Sequence, residues 1–439
     1  MKKSLALSLL LGLTLQFGFA QKQKELPITS TENISRILNT LASDEMRGRS
    51  SLSIPDISRA ADFIASEFKN IGLVPYAEEN YRQSFLVNKS KVASQSVLWD
   101  GKKLNNDKFL IVGGGVAENF NEGSGLKTLH ITAEDDFSLK FREYVQKDAD
   151  NAIVLVDQKH ETFLARFKKI YSGRENITTK DQASTSAVSK VFVIADQLAG
   201  KYQISQQRQE EELPMFNVAG IIPGKSKADE FVIFSSHYDH IGIIKPEGQD
   251  SIANGADDDA SGTTALIELA RYYKKLNNNE RTLIFVSFTA EEIGMFGSKY
   301  FSNNIDPEKV TAMINIEMIG KDSRFGPNSL YVTGFDASNL GALMQENLKG
   351  SSFTFHPDPY KTQNLFYRSD NAVLAALGVP AHTFSTSQID KDAYYHTVKD
   401  EVSTLDLNNI KSSIEAIAAG AIGIINGTQT PSRVEKLRD

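Results

Sequence analysis

The chain has 439 residues, with 48 Lys and Arg against 55 Asp and Glu, seven His and no Cys. That length allows two domains, or one domain with a sizeable insertion. A net charge of −7 without a basic stripe argues against nucleic acid as a partner. The lack of Cys excludes disulfides, thiolate nucleophiles, Cys-ligated zinc and lipid attachment at an N-terminal Cys.

Residues 1–20, MKKSLALSLLLGLTLQFGFA, start basic at Lys2 and Lys3, run apolar, and end in small residues at Gly18 and Ala20. This is the pattern of a secretory signal peptide, and its apolar core is shorter than the roughly 20 residues of a membrane span. It predicts an exported protein, periplasmic or secreted, that does not span a membrane. Loss of the two lysines leaves 46 basic and 55 acidic residues, a charge of −9.

Residues 21–88 read as the N-terminal part of a catalytic domain. ISRILNTLASDEM and DISRAADFIASEFKNIG place apolar residues at helical spacing, the second stopping at Gly72, and YRQSFLV alternates as a strand. Residues 89–212 change texture, with KFLIVGG, KTLHITA, NAIVLVD and KVFVIA as short β-like runs between polar, turn-rich segments. They predict an inserted small β-rich domain with SQQRQEEELP as its exit linker. Residues 213–439 alternate strands and helices. NVAGIIPG and EFVIFSS read as neighbouring strands, SGTTALIELARYYKKL as a helix, RTLIFVSFTA as a strand and GMFGSKYFSNN as a short helix. KVTAMINIEMIG and NSLYVTG are strands, DASNLGALMQENL and RSDNAVLAALG helices, VPAHTFST a strand, and DLNNIKSSIEAIAAGAIGIING a closing helix. The expected fold is α/β, a mixed and largely parallel central sheet with helices on both faces.

The stretch GADDDASGTTALIE nearly fits a twelve-residue calcium loop running from Asp257 through Gly262 to Glu268. Its context argues against one. The preceding IIKPEGQDSIANGA is rich in turn residues rather than helical, and Glu268 falls inside an amphipathic helix. The Asp triplet also has company. His237 and Asp239 follow one strand, Glu291 and Glu292 a second, Glu317 lies near the end of a third, and His396 lies in a loop before the last helix. Ligands of open α/β sheets bind outside the carboxyl ends of strands. His and carboxylate donors without thiolate suit hydrolytic zinc, and the surplus over one tetrahedral set suggests two ions about 3.5–4 Å apart with a bridging carboxylate. Of the adjacent pair Glu291 and Glu292, one can bind metal while the other takes a proton from water.

The motifs SSHYDHIG, NGADDDASG, TAEEIGMFGS, INIEMIG and YYHTVKD, in that order, resemble those of the co-catalytic dizinc exopeptidases, a family that includes bacterial leucyl aminopeptidases, aminopeptidase Y, glutamate carboxypeptidases and glutaminyl cyclases. They span about residues 217–426, and LASDEMRGRS with AADFIASEFKNIGLVP fits the same family. The resemblance implies one zinc held by His237, Asp258 and Glu317 and a second by Asp258, Glu292 and His396. It further implies a cis Asp258–Asp259 peptide, Glu291 as general base, Asp239 orienting His237, and Tyr395 as an oxyanion donor, with Tyr394 or Tyr395 in a packing role as the alternative. The chain departs from the family in carrying Glu317 where Asp is usual and Asn371 where His is common. Residues 89–212 resemble a protease-associated domain.

The function implied is a zinc-dependent metallopeptidase, an aminopeptidase that hydrolyses peptide substrates through a metal-bridged hydroxide with Glu291 as base. A carboxypeptidase, a dipeptidase, a glutaminyl cyclase or an inactive binding protein on the same fold are the alternatives. His130, His160, His356 and His382 read as structural or exposed. For His240, contact with the site and a structural role stay open.

Overall fold

A computed structural model describes residues 28–172, 175–179 and 188–437. The candidate signal peptide, residues 1–20, lies outside the described residues. The chain opens with helices α1 (Thr31–Leu41) and α2 (Ile54–Ile71). Ser30 caps α1 by accepting from Asn33 N, and Gly72 ends α2 in the left-handed conformation.

Strand β1 (Arg82–Trp99) then leads into a smaller layer formed by β2 (Phe109–Val112), β3 (Lys127–Ile131), α3 (Phe137–Gln146), β4 (Ala152–Val156), α4 (Glu161–Ser172) and β5 (Lys190–Ile194). The return strand is β6 (Tyr202–Ile222). After it come β7 (Lys227–His237), α5 (Gly262–Leu276), β8 (Arg281–Phe288), α6 (Phe296–Asn303), β9 (Val310–Ile316), β10 (Ser329–Val332), α7 (Leu340–Asn347), β11 (Thr354–Pro357), α8 (Asn371–Ala376), β12 (Ala381–Ser385) and α9 (Leu407–Gly420).

The main sheet runs in the order β11-β10-β12-β9-β7-β8-β6-β1, with shorter strands at its edge. Pairs β7–β8, β7–β9, β9–β12 and β10–β11 are parallel, whereas β6–β8, β6–β1 and β10–β12 are antiparallel. The fold is therefore mixed α/β. Alternation along the strands explains why both faces are apolar. Val232, Phe234, Leu283, Phe285 and Ile314 pack with the helices α1, α2, α5 and α9, while Ile233, Ile284, Val286 and Met313 pack with Phe301 of α6 and Leu374 of α8.

The smaller layer is a four-stranded sheet in the order β2-β5-β4-β3, and it is not purely β-rich. Phe137 and Phe141 of α3 and Leu164 of α4 cover one face through Val154, Val156 and Phe192. Two further expectations need correcting. SQQRQEEELP is no linker; it lies within β6, paired with β1 from Tyr202↔Trp99 to Val218↔Arg82 apart from one register shift between Gln207 and Arg208. Its ladder is made by backbone groups, which a polar side-chain pattern does not disclose. The expected boundaries at 88/89 and 212/213 fall inside this ribbon, at the pairs Asn88↔Glu212 and Lys89↔Glu211. NVAGIIPG and EFVIFSS are not neighbours either, because β8 inserts between them.

Candidate metal centre

His237 is the last residue of β7, Glu291 and Glu292 follow β8, and Glu317 follows β9. The three strands are adjacent and parallel, so their carboxyl ends open on one edge. From β7 the chain goes to β8 on one side and to β9 on the other, the reversal of strand order at which open sheets leave a crevice. Asp258 joins from the entry to α5. His396 comes from the loop before α9, with φ 58°.

Asp258 is the hub. Its Oδ1 lies 3.1 Å from His237 Nε2, and its Oδ2 lies 3.3 Å from His396 Nε2 and 3.7 Å from His240 Nδ1. Glu292 reaches both other imidazoles, with Oε1 2.7 Å from His240 Nδ1 and Oε2 2.9 Å from His396 Nε2. Donor atoms of His237, Asp258 and Glu317 gather within 4.8 Å of one another, and so do those of His240, Asp258 and Glu292. Buried atoms here lack hydrogen-bond partners: His237 Nε2, both ring nitrogens of His240, Glu292 Oε1, Glu317 Oε2 and His396 Nε2. Buried polar atoms are rarely left unpaired. A divalent cation accounts for this set, and all-nitrogen-and-oxygen donors fit zinc. All five ligand positions named from the sequence thus converge. His240 is an addition; the signal for it was only its place beside Asp239 in SSHYDHIG.

The other two aspartates of the triplet face backbone. Asp257 Oδ1 accepts from Gly320 N at 2.7 Å and Ser261 Oγ at 3.3 Å. Asp259 accepts from His237 N, Gly262 N and Met318 N at 3.1–3.2 Å. The Asp258–Asp259 peptide is cis. Gly262 has no room for a side chain, since a Cβ there would run into Ile316 O and the Asp259 carboxylate. Glu268 turns away, accepting from Thr29 Oγ1 and Arg271 Nε, which disposes of a calcium loop.

Three residues hold this loop: Asp400 and Arg49, which lie in quoted motifs but were given no role, and Lys321, which lies in none. The Asp400 carboxylate accepts from the backbone N–H of Asp257 and Asp258 at 3.0–3.1 Å. Lys321 Nζ lies 3.6 Å from Asp257 and 3.8 Å from Asp400. Arg49, fully buried, donates to the carbonyls of Leu41, Tyr238, Asn254 and Gly255 at 2.6–3.0 Å. Arg49 is placed by a tight turn in which Arg47, Gly48 and Arg49 all have positive φ. At Gly48 a Cβ would sit 2.7 Å from Gly242 Cα, so the turn needs glycine.

Asp239 is fully buried. His237 Nδ1 lies 3.1 Å from the Asp239 carbonyl and 3.8 Å from its carboxylate, which instead accepts from Glu291 N at 3.1 Å and Ser51 Oγ at 3.3 Å. Asp239 therefore aligns both His237 and the segment carrying Glu291. Burial pushes the Glu291 carboxyl well above its usual range, reinforced by Glu317 and Asp370 against the pull of His237. Burial acts the same way on Asp258, but the adjacent imidazoles of His237, His396 and His240 outweigh it and hold that carboxyl well below.

Tyr395 stacks on His396 with centroids 3.9 Å apart and shares a cavity with Asp258, Glu291 and Glu317. Burial raises its hydroxyl, which stays protonated. Tyr394 is exposed and lies under Lys321 Nζ. Asn371 ties α8 to β12, donating to Phe366 O and Ala381 O and accepting from Thr383 Oγ1. A larger cleft of about 760 Å³ carries Glu292, Ile293 and Leu52 on one wall and Val92, Ile111 and Arg208 on the other. His382 is buried, His160 bonds Thr132 O, His356 stacks on Phe325, and His130 is exposed, all apart from this cluster.

Comparison with known proteins agrees with this geometry. Residues 217–421 match the sequence profile of Peptidase family M28. Leucine aminopeptidase 1 of Emericella nidulans is 28% identical over 272 residues, 57% of this chain and 64% of that protein. A probable leucine aminopeptidase of Arthroderma otae is 31% identical over 213 residues, covering 45% and 54%. The chain thus spans between about half and two thirds of the length of these curated relatives. A solved zinc aminopeptidase from Bacillus subtilis superposes with a TM-score of 0.55 at 15% identity, over 95% of this chain and 100% of that one, a likeness of fold. The match over residues 217–421 and the likeness to leucine aminopeptidases fit the co-catalytic zinc exopeptidase family whose motifs this chain carries.

Proposed function

We propose that this chain is an exported zinc-dependent aminopeptidase that removes N-terminal residues from peptides at a two-zinc centre. The observation that carries the reading is Asp258, shared between two groups of His and carboxylate donors with the half-buried Glu291 beside them. Relatives named leucine aminopeptidase support the choice among exopeptidases, and the pattern of residues 1–20 supports export.

His237, Asp258 and Glu317 would hold one ion; Asp258, Glu292 and His396 would hold the other, with His240 within reach of it. When bound, zinc lowers the pKa of a coordinated water to about 7 and polarises a carbonyl oxygen. Glu291, made more basic by its desolvated surroundings, acts in its ionised form, taking a proton from water and delivering it to the leaving amine. Tyr395 donates its hydroxyl to the oxygen on which charge develops. Asp239 positions the two flanking groups through the contacts above. The cleft between the insert and Glu292 receives the peptide beyond the scissile bond.

Glu291→Gln tests the reading. It should keep its zinc and lose about 10²–10⁴ in kcat on amino-terminally free peptide amides, the contribution typical of a general base. Near-normal turnover would remove Glu291 from its role. Cleavage confined to amino-blocked peptides would reject an aminopeptidase.

A further inference from the structure

We infer that Arg368 is a specificity residue that binds a substrate carboxylate, so that the enzyme favours acidic residues over aliphatic ones at the scissile position. The inference rests on the proposed peptidase function and names its substrate class.

The cavity that holds Tyr395 beside Asp258, Glu291 and Glu317 is small, about 60 Å³. Its walls mix apolar side chains, among them Met318, Leu365 and Ile389, with hydroxyls. Thr333, Ser369, Thr383, Ser385 and Ser387 all line it. Most of these hydroxyls are engaged: Thr333 Oγ1 accepts from Thr383 N, Ser369 Oγ accepts from Asn315 Nδ2, and Ser385 Oγ donates to Met318 O. Ser387 Oγ is different. It is buried, with the residue 3% exposed, and has no hydrogen-bond partner, so it is a donor available to a ligand.

Arg368 completes the wall. It is exposed, and its side chain makes one long hydrogen bond, to Gln363 Oε1 at 3.5 Å. It has no ion pair among the described residues, although the carboxylates of the metal centre are nearby. Guanidinium presents a planar fork that matches carboxylate oxygens two at a time. An unpaired fork on the rim and a spare hydroxyl in the wall together suit a short acidic group. Two carboxylates could fill this role: the side chain of an N-terminal Asp or Glu, or the terminal carboxylate of a dipeptide. The pocket also holds Glu291 and Tyr395, the groups proposed to act on the residue being cleaved, and this favours that residue's side chain.

The test compares the full-length wild type with Arg368→Gln and Arg368→Lys. Hydrolysis of the p-nitroanilides of Asp, Glu, Leu and Ala is measured, together with the dipeptide Ala-Ala and its C-terminal amide. Calorimetric binding of free aspartate and free leucine to the zinc-loaded protein supplies a readout independent of turnover. The expected result is that wild type prefers acidic to aliphatic p-nitroanilides, and that the preference in kcat/KM falls by about 10- to 150-fold in Arg368→Gln, the size of one charged hydrogen-bonded contact. Arg368→Lys should restore part of it.

A preference for Ala-Ala over its amide that vanishes in Arg368→Gln would assign the carboxylate to the peptide terminus instead and overturn the side-chain specificity. An acidic-to-aliphatic ratio unchanged by Arg368→Gln, in hydrolysis and in aspartate binding alike, would overturn the inference. Failure to cleave any of these compounds would refute the peptidase function, while the binding comparison would still decide the role of Arg368.

Discussion

Replacing Arg49 with Met should be among the most damaging single changes outside the metal ligands. Arg49 is fully buried and donates four hydrogen bonds to backbone carbonyls of three segments: Leu41 at the end of α1, Tyr238 after β7, and Asn254 and Gly255 ahead of the Asp triplet. Hydrogen bonds to a charged donor contribute about 1.5–3 kcal/mol each, so a simple sum gives roughly 6–12 kcal/mol. Part of that is offset, because burying the guanidinium costs several kcal/mol that Met would not incur. What remains is the cost of leaving the carbonyls without donors and the surrounding aspartates without their cation, about 3–5 kcal/mol by analogy with broken buried ion pairs. Against a total stability of about 5–15 kcal/mol this is a large fraction. Urea unfolding of zinc-free protein measures it. Because Tyr238 and Gly255 flank His237 and the triplet, zinc affinity should fall in parallel. Arg49→Lys keeps the charge but not the fork, and should recover less than half of the loss. A destabilisation below about 1 kcal/mol, with zinc affinity unchanged, would refute the idea that Arg49 holds the site together.

His382 predicts a pH effect. Burial lowers its pKa to about 4, and it is held neutral, with Nδ1 donating to Thr333 O and Nε2 accepting from Ser338 Oγ. The unfolded state takes up a proton near 6.5 and the folded state does not. Its contribution is thus complete above that pH and is lost as pH falls toward 4, on the order of 3 kcal/mol in all. In urea unfolding the gap between wild type and His382→Asn should shrink over that range; a constant gap would contradict this. Tyr395→Phe should lower kcat by about 10²–10³ with little change in KM, as loss of one oxyanion donor does. A change under threefold would return Tyr395 to a packing role.

Much of the centre was legible because its chemistry sits where strands end, and strand ends are visible as apolar runs. His237, Glu291, Glu292 and Glu317 each follow such a run. The context of Glu268 argued against calcium in the sequence itself, and the structure turns it toward Thr29 and Arg271. The long β1–β6 ribbon was not legible, since Gln, Glu and Arg side chains on a two-stranded ladder carry no apolar period. Strand order was misread for a related reason: hydrophobic pattern gives strands but not their neighbours, and β8 slots between β6 and β7 although it comes later in the chain. Arg49, Lys321 and Asp400 act on backbone groups and on the triplet across more than 50 residues, which no local spacing reveals.

The most direct test is zinc stoichiometry. Metal-free protein titrated with zinc in a calorimeter, with elemental analysis of the dialysed product, should show two ions per chain. Asp258→Ala should retain at most one, because both donor groups lose their shared carboxylate. One ion or none in the wild type, or two ions kept by Asp258→Ala, would contradict the account.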